Sequence, residues 1–388
     1  MHAPKVLLVA RRFWPFTDDA CMRLLYFCAA LKRAGVEVSV LTGRWHPSWP
    51  EYAQCREVPI HRLLPAPSSN WNEVHFQKNV VNWIGREKAN YDCILVDRAD
   101  GLLATLQSKS SKWNLPVIAR FSPDDSGIGL ANSQKISQLA MADSCRRCFR
   151  IVCTTPYAHR ILVSQGISES QIVRMEDVAS ERITRSDELR AAASNALFET
   201  CSDFVVPSRT HIVLHLGHAE LKSLKTAVQS VCDLLDMGVM IRMWIVGSGI
   251  STSTIYDLIK SRGWHREILL FDGFDDFSEL IRIADLVIAS NPKETLQYTL
   301  PLIAMAGVPM MIAEQQDCRS WLPESNYFQL YASEESLASK LNSWLTNREL
   351  WLTMAHTLRQ FLIRTHSGDA QIQQWMAMFR DSNNERTA

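Results

Sequence analysis

The sequence lacks an excess of either charge, and that absence bears on its partners. Its 388 residues include 41 Lys and Arg and 41 Asp and Glu, so the formal net charge at pH 7 is zero. Without a global positive field, the sequence predicts neither a nucleic-acid-binding protein nor one recruited to an acidic membrane by overall charge. Its length predicts two α/β domains, each with an ample core.

Long apolar runs are also scarce. The run Val6–Ala10 is too short for the core of a signal peptide and is interpreted as a strand. One uncharged span of membrane length covers residues 295–313, but its first half is polar and it contains two prolines and a glycine. We interpret this span as the core of a soluble, cytoplasmic protein.

The ten cysteines do not follow the spacing of a secreted disulfide framework. Reduced thiols in a cytoplasmic protein are therefore expected. Cys145 and Cys148 match the Cys-x-x-Cys pattern, with Cys153 nearby, but no second ligand pair follows at zinc-finger spacing. We predict buried or incidental thiols there and no metal.

Residues 1–179 alternate short apolar strands with amphipathic helices, which is typical of a doubly wound parallel sheet. A polar stretch at 180–207 is interpreted as a linker helix region, and the alternation then restarts over 208–365. The sequence thus predicts two Rossmann-like lobes with a ligand-binding cleft between them. For the last segment, 366–388, a helix that crosses back to the first lobe is one option.

The strongest functional signal is the segment from Asn291 to Pro309, which places a lone carboxylate, Glu294, ahead of a helix that ends at Gly307. A helix beginning just after Glu294 would point the backbone N–H groups of 295–297 outward, which suits a phosphate. The carboxylate could then accept hydrogen bonds from sugar hydroxyls. The alternative is an ordinary loop, helix, turn and strand with an incidental glutamate.

Several landmarks follow one another in an order that resembles the group 1 (family 4) glycosyltransferases. They are Lys5–Val9 with Leu31–Thr42, Gly217-His218 with Lys222, Gly247-Ser248-Gly249, Phe271–Gly273, and Ala284–Ser290 leading into Glu294. The resemblance implies the GT-B fold, with parallel sheets in two lobes facing each other across a cleft. It also implies a retaining transferase that moves a sugar from a nucleotide diphosphate to a glycan or lipid-linked acceptor, without a cofactor.

The resemblance assigns roles to individual residues. Glu294 and Lys222 would be catalytic, although Lys225 could replace Lys222 if the register slips, and both lysines could instead be merely solvated. The implied donor-binding residues are His218, Gly217, Gly247, Gly249, Thr295, Leu296 and Gln297. In such enzymes the leaving diphosphate takes the acceptor proton, while the protein supplies position and positive charge.

Three features depart from the family pattern. His218 replaces an arginine, Leu302 stands where a second glutamate holds the ribose hydroxyls, and the loop at 11–20 contains no glycine. Losing that glutamate would cost about 1.5–3 kcal/mol of donor affinity unless another group substitutes. The departures leave open a catalytically inactive GT-B binding or scaffold subunit. A sugar-nucleotide epimerase of the same fold would need further acid/base residues, which we do not find.

Acceptor-side candidates lie in the first lobe. Arg11 and Arg12 would contact a phosphate or an acidic acceptor, and Asp124 and Asp125 would contact acceptor hydroxyls. The alternatives are structural: Asp18 or Asp19 as a helix N-cap, and the Asp124–Asp125 pair as a turn. A loop-rich region carries Trp45, Trp49 and Trp71. Aromatic faces pack on sugar rings and also sit at membrane interfaces, so peripheral contact with the inner face of a membrane stays open.

Overall fold

The computed structural model describes residues 3–121, 142–175, 183–216, 221–247, 252–271, 277–290, 298–365 and 368–387. The chain divides into two compact units. Unit 1 comprises Met1–Phe16, Leu24–Val178 and Gly368–Ala388, and unit 2 comprises Thr17–Arg23 and Ala179–Ser367. The stretch that we interpreted as a linker therefore clusters with unit 2, as does the short segment that follows the first strand.

Unit 1 is built on an eight-stranded sheet in the order β3-β4-β2-β1-β5-β6-β7-β8. The strands are β1 Lys5–Val9, β2 Glu37–Gly43, β3 Tyr52–Cys55, β4 Val58–Leu63, β5 Cys93–Val96, β6 Val117–Phe121, β7 Arg150–Cys153 and β8 Ile172–Arg174. The helices are α1 Asp19–Arg33, whose first turn belongs to unit 2, α2 Asn70–Glu87, α3 Gly101–Trp113, α4 Pro156–Ser164 and, at the end of the chain, α13 Gly368–Thr387. Neighbouring strands are parallel except β3 and β4.

Helices cover both faces of this sheet, which is why its central strands are almost continuously apolar. Leu7 and Val9 pack on one face with α2 and α3. Val6 and Leu8 pack on the other face with α1 and α13. Trp375 of α13 lies with its ring centroid 5.0 Å from that of Phe27. The C-terminal helix is thus an integral part of the unit 1 core.

Unit 2 is built on a six-stranded parallel sheet in the order β11-β10-β9-β12-β13-β14. The strands are β9 His211–Leu216, β10 Ile241–Val246, β11 Ile268–Phe271, β12 Leu286–Ala289, β13 Met310–Ala313 and β14 Leu330–Tyr331. The helices are α5 Asp187–Thr200, α6 Leu221–Asp236, α7 Thr252–Ser261, α8 Ser278–Ile283, α9 Thr299–Ala306, α10 Gln316–Trp321, α11 Glu334–Thr346 and α12 Arg348–Thr365. The two parallel sheets confirm the predicted α/β class.

Part of the region interpreted as loop-rich is instead a β-hairpin. β3 pairs antiparallel with β4, and Arg56 and Glu57 make the turn with φ of 48° and 65°. β4 then joins β2 in parallel, so the hairpin extends the edge of the sheet. Among the described residues, no helix combines the length and the apolar character needed to span a membrane.

Candidate functional site

The central strands of unit 2 bring three predicted donor-site segments to one edge of the sheet. β9 lies between β10 and β12, and all three run parallel, so their carboxyl ends are neighbours. Gly217 follows β9, Gly247 follows β10, and the segment with Glu294 follows β12. In open parallel sheets this edge is where ligands bind. The predicted residues Gly217, His218, Gly249, Glu294, Thr295, Leu296 and Gln297 lie outside the described residues.

Gly247 and Lys222 are the predicted donor-site residues that the structure does describe. The Gly247 N–H donates to the carbonyl of Phe271 at 3.2 Å, which holds the exit of β10 against β11. Lys222 is exposed in the first turn of α6, directly after residues 217–220. Lys225 is also exposed, one turn further along the helix. The position of Lys222 suits a phosphate contact, and that role stays a prediction.

Beneath this edge lies a polar trio that the sequence reasoning missed, formed by His215, Ser290 and Tyr331. Their exposed fractions are only 1%, 3% and 6%. His215 Nε2 lies 2.9 Å from Ser290 Oγ, and the Tyr331 hydroxyl donates to the same oxygen at 3.3 Å. Burial lowers the pKa of His215 to about 4, so the imidazole is neutral at pH 7. A histidine within an otherwise apolar strand was the available signal.

α9 starts at Thr299, and the helix start predicted just after Glu294 lies outside the described residues. Its first backbone N–H groups face a carboxylate of the chain itself: those of Tyr298 and Thr299 donate to Asp19 at 3.1 and 2.6 Å. The helix dipole favours an anion at this position, and Asp19 supplies it. These two amides are therefore already bonded within unit 2.

The two aspartates at the start of α1, Asp18 and Asp19, have separate functions. Asp18 caps α1, because its Oδ1 accepts from the N–H of Cys21 at 3.0 Å. This confirms one of the two N-cap alternatives. At the other end of α9, the prediction that the helix ends at Gly307 is also confirmed, and Gly307 adopts a left-handed conformation with φ of 71°.

Leu302 is part of the hydrophobic interior of unit 2. All eight residues of α9 are buried, and Leu302 is 5% exposed. The helix packs against α12. The side chain that replaces the family's second glutamate is therefore buried in this structure.

The predicted acceptor residue Arg11 is engaged in an internal ion-pair network at the carboxyl end of β1. Its Nε donates to Glu73 Oε2 at 3.1 Å, and its guanidinium also contacts the carboxylate of Asp100. Burial raises the pKa of Asp100, and the neighbouring Arg11 partly offsets this effect. The carbonyl of Arg11 accepts from Trp45 Nε1 at 2.8 Å. These contacts give Arg11 a structural function, and its contact with an acceptor stays a prediction.

Arg12 is exposed and lies beside a cluster of aromatic rings formed by Phe16, Trp45 and Trp49. Its guanidinium carbon lies 4.0 Å from the ring centroid of Phe16 and 5.6 Å from that of Trp45. Trp45 and Trp49 pack edge-on against Phe16, with centroid distances of 5.8 and 5.3 Å. The stacking holds a cation in a defined orientation at the surface. The other acceptor candidates, Asp124 and Asp125, lie outside the described residues.

The Cys-x-x-Cys pair lies in the interior of unit 1. Cys145 and Cys148 are 1% and 3% exposed, and Gln107 Nε2 donates to the Cys148 sulfur at 3.3 Å. Burial raises the pKa of the Cys148 thiol. Both residues therefore behave as core thiols, as expected.

Solved structures share this architecture over nearly the whole chain. HepE from Anabaena, in complex with UDP and glucose, matches with a TM-score of 0.73 and 12% identity, covering 97% of this chain and 100% of that one. Sucrose-phosphate synthase from Thermosynechococcus elongatus matches with a TM-score of 0.77 and 13% identity, covering 97% and 98%. A glycosyltransferase from Rickettsia africae matches with a TM-score of 0.69 and 14% identity, covering 98% and 99%. These likenesses establish the GT-B fold.

Two family models match separate parts of the sequence. "Glycosyltransferase Family 4" matches residues 22–175, and "Glycosyl transferase-like" matches residues 302–377. Together with the shared fold, these two models support a family 4-like GT-B glycosyltransferase. No curated protein matches its sequence. The comparisons do not favour the alternative in which this glycosyltransferase is an inactive scaffold subunit.

Proposed function

We propose that this glycosyltransferase is a retaining enzyme that moves a hexose from a nucleotide diphosphate to a glycan or lipid-linked acceptor. The observation that carries the proposal is the common edge formed by the carboxyl ends of β10, β9 and β12, where the Gly247, Lys222 and Glu294 segments begin. The similar HepE structure contains UDP-glucose. We therefore take UDP-glucose as the first donor to test.

The proposed roles follow from charge. Lys222 neutralises the diphosphate as negative charge develops on the leaving group, and Glu294 holds hydroxyls of the transferred sugar. His218 adds a donor to the phosphates and becomes positively charged when the diphosphate raises its pKa. The leaving diphosphate accepts the proton of the acceptor hydroxyl, so the reaction requires neither a protein base nor a cofactor.

The position of Arg12 supports the proposal that the acceptor carries an acidic group. Its guanidinium is oriented by Phe16 and Trp45 at the carboxyl end of the unit 1 sheet, and a guanidinium binds carboxylates and phosphates in a bidentate manner. Arg11 is less suited to this role because its guanidinium already contacts Glu73 and Asp100. Replacing Arg12 with Gln should raise the KM for an acidic acceptor without changing the affinity for UDP.

Peripheral contact with an anionic membrane is also proposed, through one stripe of α2. Trp71 is 73% exposed and Val74 is 49% exposed, and Lys78 and Arg86 continue the exposed stripe. None of the exposed residues of α2 is acidic. Tryptophan and lysine in this arrangement suit the headgroup region of a bilayer. Trp71→Ala should reduce sedimentation with vesicles that contain phosphatidylglycerol, and equal sedimentation of the variant would contradict this contact.

Two exposed lysines on α6 provide a matched test of the donor site. Lys222→Ala should weaken UDP binding, measured by calorimetry, by about tenfold or more, because a charge-assisted contact contributes about 1.5–3 kcal/mol. Lys225→Ala changes the same charge one turn away and should have little effect. Equal effects of the two variants would show that Lys222 has no specific role. A wild-type protein whose melting temperature does not respond to millimolar UDP, ADP or GDP would contradict the proposed function.

A further inference from the structure

The trio of His215, Ser290 and Tyr331 is an unusual feature of the unit 2 core. The side chains around it on this face of the sheet, such as Ile245 and Ile288, are aliphatic. Ser290 Oγ accepts from the Tyr331 hydroxyl and also forms the hydrogen bond with Nε2 of His215, so the serine links the side chains of β9 and β14.

Stability alone does not account for this arrangement. A hydrogen bond between buried neutral groups contributes only about 0.5–1.5 kcal/mol of net stability, which the apolar surface of an aliphatic residue at position 215 would offset. The hydrogen bonds of the trio add a directional constraint. A hydrogen bond restricts both the distance and the angle between two strands, whereas apolar contacts do not.

The hydrogen bond joins two strands just where they end. His215 is paired with Ile288 across β9 and β12, and Ser290 lies two residues beyond Ile288 on the same face. Ser290 directly precedes the segment that contains Glu294, and His215 lies two residues before Gly217. Tyr331 reaches Ser290 from β14, across β13, where its paired residue is the small Ala313.

We propose that His215 is a positioning residue for sugar transfer. Its hydrogen bond to Ser290 holds the exits of β9 and β12 together, so that Lys222 and Glu294 approach the same donor molecule. The inference rests on the proposed function of these two residues. A displacement of about 1 Å between groups that act on one transition state lowers the rate about a hundredfold, so a small loss of alignment has a measurable effect.

Substitutions at position 215 separate positioning from packing. His215→Leu keeps the approximate volume and removes the hydrogen bond, whereas His215→Gln can place an amide near the position of Nε2. Ser290→Ala removes the other partner. Ser230→Ala is the matched control, because Ser230 is a buried serine on α6 whose hydroxyl has no partner among the described residues.

The assay measures release of UDP from UDP-glucose, with water or a glycan as acceptor, together with UDP affinity and melting temperature. His215→Leu and Ser290→Ala should each lower kcat by about tenfold or more, with a change of less than about threefold in UDP affinity. The double variant should lose little more than either single variant, because both remove the same bond. His215→Gln should recover most of kcat, and Ser230→Ala should match the wild type. The melting temperature of His215→Leu should not fall.

Two results would overturn the inference. One is a kcat for His215→Leu within about twofold of the wild type. The other is a parallel loss of kcat and melting temperature in both the Leu and Gln variants, which would indicate a packing role. Failure of the proposed function gives a different result, because the wild-type protein itself would then neither bind UDP nor release it from UDP-glucose, and both proposals would fall together.

Discussion

Replacing Leu302 with Glu restores the carboxylate of the family pattern in a position that this structure shows to be buried. The side chain is 5% exposed on a helix whose eight residues are all buried. A carboxylate there loses its hydration, so we expect the folded protein to hold the glutamate in its protonated form. We therefore expect a stability cost with a defined dependence on pH.

The magnitude of that cost has an upper bound. The pKa of an exposed Glu is about 4.3 and each pKa unit corresponds to about 1.4 kcal/mol, so keeping the carboxyl protonated at pH 7 costs at most about 3.7 kcal/mol. Loss of the buried leucine adds about 2 kcal/mol. Leu302→Gln removes the same apolar surface without adding a charge. It should therefore show the second cost alone.

The sign of the pH dependence follows from proton counting. Between the unfolded pKa and the raised folded pKa, the native state of the Glu variant holds a proton that the unfolded state has lost, so its stability falls as pH rises. Urea unfolding should show the Glu and Gln variants nearly equal near pH 4.5 and separated by up to about 3.7 kcal/mol at pH 7.

The opposite result would refute the burial argument. If Leu302→Glu unfolds like Leu302→Gln at every pH and also binds UDP several-fold more tightly than the wild type, the side chain at 302 lies beside the nucleotide rather than in the core. The unfolding and UDP-binding measurements thus distinguish a side chain at position 302 that lies beside the nucleotide from one that lies in the core.

Three further predictions follow from the ionic and polar contacts. Because the pKa of His215 is lowered from 6.5 to about 4, the wild type should lose about 3 kcal/mol of stability as pH falls through this range, and His215→Leu should lack that part of the loss in urea unfolding. Asp19→Ala should lower the unfolding free energy by about 1–2 kcal/mol, since the amides of Tyr298 and Thr299 lose their acceptor, and an unchanged value would contradict the capping role. Arg11→Ala removes the cation that contacts Glu73 and Asp100 and should lower the unfolding free energy by about 2–4 kcal/mol at pH 7, and an unchanged value would argue against the ion pairs.

The elements predictable from sequence were those with a local signal. β12 shows such a signal, because its apolar run lies between the polar residues Asp285 and Ser290. The hairpin of β3 and β4 was missed for an equally local reason. Its turn uses Arg56 and Glu57 at positive φ instead of Gly or Asn, and Pro59 lies within β4.

The features that could not be predicted depend on partners far apart in the sequence. The carboxylate at the start of α9 belongs to Asp19, about 280 positions earlier, and the sequence near Thr299 does not indicate this partner. Arg11 looked available to a ligand because its partners, Glu73 and Asp100, are 62 and 89 positions away. Charged residues near a ligand edge therefore indicate a site only after their internal partners are known.

The packing of α13 into unit 1 has a consequence for biosynthesis. Trp375 and Phe379 follow all of unit 2 in the sequence, yet they are 3% and 0% exposed in the same core as Val6 and Leu8. The part of one apolar face of the first sheet that α13 covers thus stays exposed while all of unit 2 is being translated. We expect nascent chains that stop before residue 368 to associate with chaperones and to be sensitive to protease throughout the N-terminal half. In many other proteins the first domain would already be folded at this stage of translation.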